Sequence, residues 1–285
     1  MARMTSHDGK KVLITGAARG IGAALAGRLA GQGAQVALLG LEPELLKQVS
    51  QRCPGSLWRE VDVTDGDRVD EVVNEIATLW GGLDVVVANA GVAGQLALDG
   101  GDPEVMRAHL EVNVMGCYRT LRAAAPHISH PDGYAVATAS LAAAAHAPLM
   151  GAYNASKAAV EALGNTFRIE LAPTGAKVGV AYFAEIDTDM TSRGFGTRAA
   201  TMLTGGGTIL GVAPLESAID ALDRGIRKRS RRICAPRWIA PILPARMVAQ
   251  RVMELRGFPQ LTLALQIARE EGADLTTVQP QRISK

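Results

Sequence analysis

Short apolar runs that end in glycine or a polar residue alternate with longer segments of helical periodicity along most of this chain. Six runs are typical of strands buried on both faces: KVLITG, QVALLG, LWREVDV, LDVVVANAG, GYAVATAS and KVGVAYF. Between them, segments such as DRVDEVVNEIATLWG and GAYNASKAAVEALGNTFRIELAP repeat apolar residues at helical spacing. This alternation predicts an α/β fold, a doubly wound parallel sheet of the Rossmann type with helices on both faces.

The composition agrees with one domain of this class. The chain has 285 residues, of which 48% are hydrophobic, so it can bury a sizeable core. We predict an N-terminal tail at 1–9, a nucleotide-binding domain at 10–235 and a C-terminal extension at 236–285. A formal net charge of +2 gives no argument for a nucleic-acid partner.

The cysteines and the N-terminus indicate the compartment. Cys53, Cys117 and Cys234 are far apart and show no C-x-x-C spacing, so we expect neither a disulfide framework nor a metal site. The N-terminal residues are polar and do not resemble a signal peptide, and no uncharged apolar run is long enough to span a bilayer. We therefore expect a soluble cytoplasmic protein.

A glycine-rich loop, TGAARGIG at 15–22, directly follows the first strand. Gly16, Gly20 and Gly22 allow a tight turn, close approach of a pyrophosphate and tight packing of the next helix. That helix, beginning near Ile21, would direct its free N–H groups and positive dipole end at the phosphates. A glycine turn without a ligand would look similar, but the position after the first strand favours a nucleotide site.

Five motifs, in order and at consistent spacing, resemble the short-chain dehydrogenase/reductase (SDR) family from about residue 10 to 236. They are the glycine loop, NAG at 89–91, Asn113 in EVNVMG, Ser140 in ATASLAA, and Tyr153 with Lys157 in YNASK. The resemblance implies an NAD(P)-dependent oxidoreductase. It also implies a homodimer or homotetramer that assembles through two long helices, at about 103–125 and 151–171.

Tyr153 and Lys157 are four positions apart in a helical segment, so they share one face of the helix. A nearby positive charge favours the phenolate form of a tyrosine whose free pKa is near 10. By resemblance, Tyr153 is the general acid and base, and Lys157 also holds the cofactor ribose. Ser140 would orient the substrate oxygen, and Asn113 would keep a water in place for a proton relay. Such a pair also occurs by chance on many helices, so the hypothesis depends on the other motifs.

The resemblance also assigns a set of cofactor-binding residues. They are Gly16, Arg19, Gly20, Ile21, Gly22, Gly40, Leu41, Asp62, Val63, Asn89, Ala90, Gly91, Tyr153, Lys157, Ile186 and Thr188.

The residues that choose between NAD and NADP carry neither complete signature. Strand two ends in Gly40 and Leu41, where NAD enzymes of the family place an acid and NADP enzymes often place an arginine. Arg19 could bind a 2'-phosphate through both guanidinium nitrogens, so we favour NADP(H) over NAD(H). Glu42 is interpreted as an exposed residue at a helix start.

The predicted substrate pocket is mostly apolar, which favours a lipid-like, fatty-chain or steroid-like alcohol or ketone. Its residues are Gln95, Leu141, His146, Met150, Phe183, Ala184 and Glu185. Phe183 and Ala184 replace the Pro-Gly that is usual in the family, which weakens analogy with other members. The glycine-rich region 191–212 is typical of a mobile lid or of a disordered loop.

A basic segment with a tryptophan, RGIRKRSRRICAPRWIAPIL, lies near the start of the extension. We favour a solvated helix end followed by the last strand of the sheet. The alternative is a weak contact with an anionic membrane surface. A non-catalytic cofactor sensor or scaffold of the same fold is the second functional hypothesis, and a membrane-surface-associated protein whose extension is the functional part is the third.

Overall fold

A parallel sheet of seven strands forms the centre of the computed structural model. The structure describes residues 7–194, 197–205, 208, 211–271 and 275. The strands are β1 Lys11–Thr15, β2 Gln35–Gly40, β3 Leu57–Glu60, β4 Val85–Ala88, β5 Tyr134–Thr138, β6 Lys177–Phe183 and β7 Arg232–Ala235. Their order across the sheet is β3-β2-β1-β4-β5-β6-β7. The order reverses between β1 and β4, which opens a crevice at the carboxyl ends of the strands.

Helices cover both faces of the sheet, as the alternating pattern predicted. They are α1 Gly20–Ala30, α2 Pro43–Gln51, α3 Gly66–Trp80, α4 Pro103–His109, α5 Gly116–Ile128, α6 Gly151–Leu171, α7 Asp189–Gly194, α8 Arg198–Thr204, α9 Leu215–Lys228, α10 Arg246–Arg256 and α11 Leu261–Glu271. One apolar cluster joins α3, α5 and α6 to the sheet, and a second joins α1, α2 and α9 to the other face. The predicted doubly wound α/β fold is therefore confirmed.

Two local predictions were wrong in detail. The strand that contains LWRE was expected to be buried on both faces, but β3 is half-buried to exposed because it lies at the edge of the sheet. The helix expected at about 103–125 is divided into α4, a π-helical segment Leu110–Met115, and α5. The π-helical segment contains Asn113, so the irregularity falls at a predicted site residue.

The described part of the predicted C-terminal extension packs on the preceding part of the chain. Helix α11 lies against α8, and the Glu271 carboxylate accepts hydrogen bonds from the backbone N–H groups of Arg198 and Ala199 at 2.9 and 3.1 Å. The guanidinium of Arg269 pairs with Asp99. Within the predicted lid, 191–212, the described part includes most of α7 and all of α8; residues 195–196, 206–207 and 209–210 lie outside it.

The predicted N-terminal tail is described only from residue 7 onward. His7 is buried, and its Nε2 lies 2.8 Å from the Asp223 carboxylate on α9, so this part of the tail is fixed against the domain. Among the helices that the structure describes, none combines the length and the apolar character needed to cross a membrane.

Candidate active site

The glycine loop packs so tightly that side chains would not fit at two of its positions. Gly16 has a φ of +66°, and a Cβ there would lie 2.7 Å from the Cα of Ala90. A Cβ at Gly22 would lie 2.2 Å from the Gly16 carbonyl oxygen. The loop backbone is therefore pressed against the end of β4, and α1 starts at Gly20 at the edge of the crevice. This cradle fits the pyrophosphate of a dinucleotide.

One cleft along the carboxyl ends of the strands brings together most of the predicted site residues. Those that line it are Gly16, Arg19, Gly20, Ile21, Gly40, Leu41, Asp62, Val63, Asn89, Ala90, Gly91, Ser140, Leu141, Met150, Tyr153, Lys157, Phe183, Ala184, Glu185, Ile186 and Thr188. Gly22, Gln95, Asn113 and His146 are not among its lining residues. The cleft also receives Asp189, Met190 and Met253, which the sequence did not single out, and Glu42, which was expected to be exposed.

Tyr153, Ser140 and Lys157 converge inside this cleft. The Tyr153 phenol is hydrogen-bonded to the Ser140 hydroxyl, and the Phe183 carbonyl oxygen, 3.1 Å from Ser140 Oγ, is a second acceptor for the one hydrogen of that hydroxyl. Lys157 follows one turn later on α6, with its Nζ 5.6 Å from the centroid of the Tyr153 ring. This Nζ donates to the Thr138 carbonyl oxygen at 2.9 Å. The helical spacing in YNASK thus places the Tyr153 phenol beside the Lys157 ammonium, and Ser140, which follows β5, meets the same phenol from a separate element.

Burial dominates the ionisation of both groups. It raises the pKa of Tyr153 to about 12, against the opposing effect of the Ser140 hydrogen bond, and it lowers the pKa of Lys157 to about 8. The expectation that Lys157 lowers the Tyr153 pKa is therefore not met by the protein groups alone. At neutral pH Tyr153 is a neutral phenol, which is the form that can donate a proton.

The Asn113 side chain is occupied by the protein itself. Its Nδ2 donates to the Val92 carbonyl oxygen at 3.0 Å and to Ser156 Oγ at 2.9 Å, and its Oδ1 accepts from the Val92 N–H at 2.8 Å. A Cβ on Gly91 would lie 3.0 Å from this Oδ1 and 3.5 Å from Lys157 Nζ. Asn113 thus fixes the loop after β4, and both hydrogens of its Nδ2 are taken up by protein acceptors, while its role in a proton relay stays a prediction.

His109, which sequence analysis missed, lies behind the tyrosine. Its ring meets the Tyr153 ring edge to face, with centroids 6.3 Å apart. Its Nδ1 lies 2.7 Å from the Val105 carbonyl oxygen, and burial lowers its pKa, so it is neutral at pH 7. A lone histidine in a helical segment carries no local pattern that would have identified it.

Arg19 joins two carboxylates across the cleft. Its Nε and one terminal nitrogen donate to the two oxygens of Glu42, with 2.8 Å for Nε, and Nη1 donates to Asp189 Oδ2 at 2.8 Å. Glu42 is at the start of α2, as expected, but it is partly buried and lines the cleft. The interpretation of Glu42 as an exposed residue was therefore wrong, because Arg19 draws its carboxylate inward.

The substrate end of the cleft differs from the predicted pocket at two positions. Gln95 is buried and accepts a hydrogen bond from Thr197 at the start of α8. His146 is exposed, and its backbone N–H donates to Gln250 Oε1 on α10 at 2.9 Å. The assignment of both residues to the pocket wall is thus corrected. The Gln95 side chain is bound by the start of α8, and the chain turns outward at His146.

Comparison with known proteins supports the resemblance to the short-chain dehydrogenase/reductase family. The short chain dehydrogenase family profile matches residues 10–199. An uncharacterized oxidoreductase of Mycobacterium tuberculosis is 30% identical over 243 residues, covering 82% of this chain and 91% of that protein. The 11-beta-hydroxysteroid dehydrogenase 1A of Arabidopsis thaliana is 38% identical over 170 residues, covering 57% of this chain and 48% of that protein.

A solved structure agrees with the fold. The crystal structure of a short chain dehydrogenase from Mycobacterium paratuberculosis bound to NAD has a TM-score of 0.69 and 28% sequence identity to this chain. The match covers 80% of this chain and 97% of that chain. The family profile, the relatives and the glycine cradle together show that this chain belongs to the short-chain dehydrogenase family of nicotinamide-dependent oxidoreductases.

Proposed function

We propose that the protein transfers a hydride between NADP(H) and an apolar alcohol/ketone pair, with Tyr153 as the general acid and base. One observation carries the proposal. The Tyr153 phenol, hydrogen-bonded to Ser140 and adjacent to Lys157, lies in the same cleft as the glycine loop. A non-catalytic sensor or scaffold would have no need of this arrangement, so the enzyme is favoured over that alternative.

The cofactor would supply the hydride, and the protein groups would manage the proton. In the direction of reduction, Tyr153 donates its proton to the substrate oxygen as the carbonyl carbon accepts the hydride. Ser140 holds that oxygen by a hydrogen bond. Lys157, protonated at pH 7, offsets the negative charge left on the phenol and holds the ribose hydroxyls. In oxidation, Tyr153 takes the proton back.

The preference for NADP(H) is supported by the end of β2 and by Arg19. Gly40 and Leu41 present no carboxylate to the adenosine ribose. Arg19 lies in the cleft and would exchange its carboxylate partners for a 2'-phosphate. Glu42 is the specific observation for NAD(H), because its carboxylate could accept hydrogen bonds from the ribose hydroxyls.

A titration separates these cofactor choices. NADPH and NADH are added to the purified protein, and energy transfer from protein tryptophan to the nicotinamide is followed, with the Arg19→Ala variant in parallel. Tighter binding of NADPH that disappears in the variant supports the proposal. Tighter binding of NADH to the wild-type protein would overturn the NADP preference, and binding of neither would overturn the enzymatic proposal.

An apolar substrate of lipid, fatty-chain or steroid type is supported by the cleft wall. Leu141, Met150, Phe183, Met190 and Met253 contribute to this wall, with Glu185 as a charged member. The Arabidopsis relative is named a hydroxysteroid dehydrogenase, although the match spans only about half of that protein. The test is turnover with a matched panel of steroid, long-chain and short polar ketones. A preference for the polar ketones would contradict the proposed substrate class.

We also propose a cytoplasmic homodimer or homotetramer. Exposed apolar side chains on the helices expected to form the interface support this assembly: Leu110, Met115, Tyr118 and Ile169. The three free cysteines are consistent with a reducing compartment. Sedimentation velocity of the wild-type protein and of the Ile169→Glu variant tests the assembly, because a charge within such an interface would shift the protein towards the monomer.

A further inference from the structure

Helix α10, in the C-terminal extension, has two faces of different character. Arg246, Gln250 and Met253 lie on the side that contacts the rest of the molecule. The other side carries a set of exposed residues. They are Met247, Val248, Arg251, Val252 and Leu255. These positions fall on one continuous stripe at helical spacing.

The inner face fixes the helix beside the active site. Arg246 donates to both carboxylate oxygens of Glu161 on α6, at 2.6 and 3.0 Å, and the Tyr182 hydroxyl donates to the same carboxylate at 3.0 Å. Gln250 accepts from the backbone of residue 146, and Met253 lines the cleft. The orientation of α10 is therefore set, and its outer stripe is directed to the solvent.

The outer stripe is strongly apolar for a solvated surface. Met247 is 80% exposed, Val248 65%, Val252 60% and Leu255 69%. Four large apolar side chains on one exposed stripe indicate an interaction surface rather than ordinary scattered surface residues.

The charges around this stripe are mainly positive. Arg251 lies within the stripe, where its Nη1 pairs with Glu254 Oε2 at 3.3 Å, and Arg256 is the last residue of the helix. Arg237 and the 44% exposed Trp238 precede the helix in the same extension. An apolar helix face with arginines, preceded in the chain by an exposed tryptophan, has the composition of a segment that lies in a membrane interface.

We propose that the outer face of α10 docks on an anionic lipid bilayer. Its apolar side chains would enter the boundary between headgroups and acyl chains, and the arginines would bind the lipid phosphates. Pairing with a second copy through the same stripe is less favoured. The positive charges in this extension, Arg237, Arg251 and Arg256 against Glu254, complement an anionic surface better than an identical copy of the same stripe.

Docking of this kind would place the cleft beside the lipid, because Met253 on the opposite side of the same helix lines the cleft. An apolar substrate could then pass from the bilayer to the site without crossing water. This consequence rests on the proposed function, whereas the docking itself does not.

Co-sedimentation with vesicles tests the docking. The full chain is mixed with vesicles of phosphatidylcholine alone or of phosphatidylcholine with phosphatidylglycerol. We expect binding to the mixed vesicles that weakens with added salt, and a loss of affinity of about tenfold or more in the double variant Val248→Ser, Leu255→Ser. The control is Leu79→Ser on α3, a residue of similar exposure (64%) in another helix, which should bind like the wild type.

Cofactor titration of each variant establishes that the fold is intact and reports on the proposed function separately. If the wild type does not bind the mixed vesicles, or if the double variant binds them equally well, the proposal is overturned. If the wild type binds no vesicles and the double variant changes only the sedimentation coefficient, the stripe is a contact between copies of this chain, which also overturns it.

Discussion

Lys157 Nζ lies 5.6 Å from the centroid of the Tyr153 ring and donates to the Thr138 carbonyl oxygen at 2.9 Å. This arrangement keeps an ammonium beside a phenol inside the protein, away from water. Burial disfavours the charged form of both groups, which makes the phenol a weaker acid and the ammonium a stronger one. At neutral pH Tyr153 therefore keeps its proton, as its proposed role as a proton donor requires.

Replacing Tyr153 by phenylalanine should lower turnover far more than it lowers cofactor affinity. The ring remains, but the proton donor is lost, and general acid catalysis of this kind contributes about 10²- to 10⁴-fold to the rate. Tyr118→Phe, on the exposed side of α5, is the matched control and should keep full activity. Turnover of Tyr153→Phe within about threefold of the wild type would rule out Tyr153 as the proton donor.

Replacing Lys157 by methionine should change how stability depends on pH. The Lys157 pKa is lowered from 10.5 to about 8, so between these values the unfolded chain binds more protons than the folded one. The contribution of Lys157 to the free energy of unfolding therefore rises with pH through this range. Below pH 8, the burial of the charged lysine lowers the stability of the wild type by about 3 kcal/mol.

The measurement is denaturant unfolding of both proteins from pH 7 to pH 10.5. We expect Lys157→Met to be the more stable protein at pH 7, with the difference decreasing towards pH 10.5. A constant difference between the two proteins over this range would show that the lysine is not destabilised by burial.

Replacing Gly22 by alanine should disrupt both folding and cofactor binding. The added Cβ would lie 2.2 Å from the Gly16 carbonyl oxygen, so the phosphate loop has to shift. Gly27→Ala is the matched control in the same helix, because a Cβ there meets nothing within 4 Å. That control should gain up to about 1 kcal/mol from helix propensity.

Thermal unfolding and NADPH titration of the two glycine variants give the comparison. If Gly22→Ala bound NADPH with the affinity of the wild type, the loop would not need its present backbone conformation to hold the cofactor.

Replacing Glu42 by glutamine should strengthen NADPH binding. The substitution removes one of the two charges that hold Arg19, so the guanidinium becomes more available to a 2'-phosphate, with a gain of about 1 kcal/mol or fivefold in affinity. NADH affinity should stay the same or fall, because the amide is a poorer acceptor for ribose hydroxyls. If Glu42→Gln strengthened NADPH binding equally in an Arg19→Ala background, this explanation would be contradicted, because the gain depends on Arg19.

Replacing Arg246 by methionine should loosen α10 and destabilise the protein by about 2 kcal/mol, because it leaves the Glu161 carboxylate buried with Tyr182 as its remaining partner. Hydrogen exchange should accelerate in α10 before the rest of the molecule. Arg251→Met, on the outer stripe of the same helix, should have little effect on stability. If α10 were equally protected from hydrogen exchange in Arg246→Met and Arg251→Met, the Arg246–Glu161 pair would not be what anchors the helix.

Much of the fold was predictable because its signals are local. Alternating strand and helix periods predicted the parallel sheet, and the glycines of the phosphate loop and the spacing of Tyr153 and Lys157 predicted the cleft and its reactive end. Each of these patterns lies within one or two neighbouring elements, so the side chains are brought together by backbone geometry alone.

The tertiary structure decided the rest of the site. Crossovers bring Glu42, Asp189 and Met253 to the same cleft from α2, α7 and α10, and they place His109 behind Tyr153. Burial, not sequence spacing, then determines the ionisation of Tyr153 and Lys157. These features depend on contacts between residues far apart in the chain. Local periodicity does not indicate which distant side chains will be in contact or how strongly they will be desolvated.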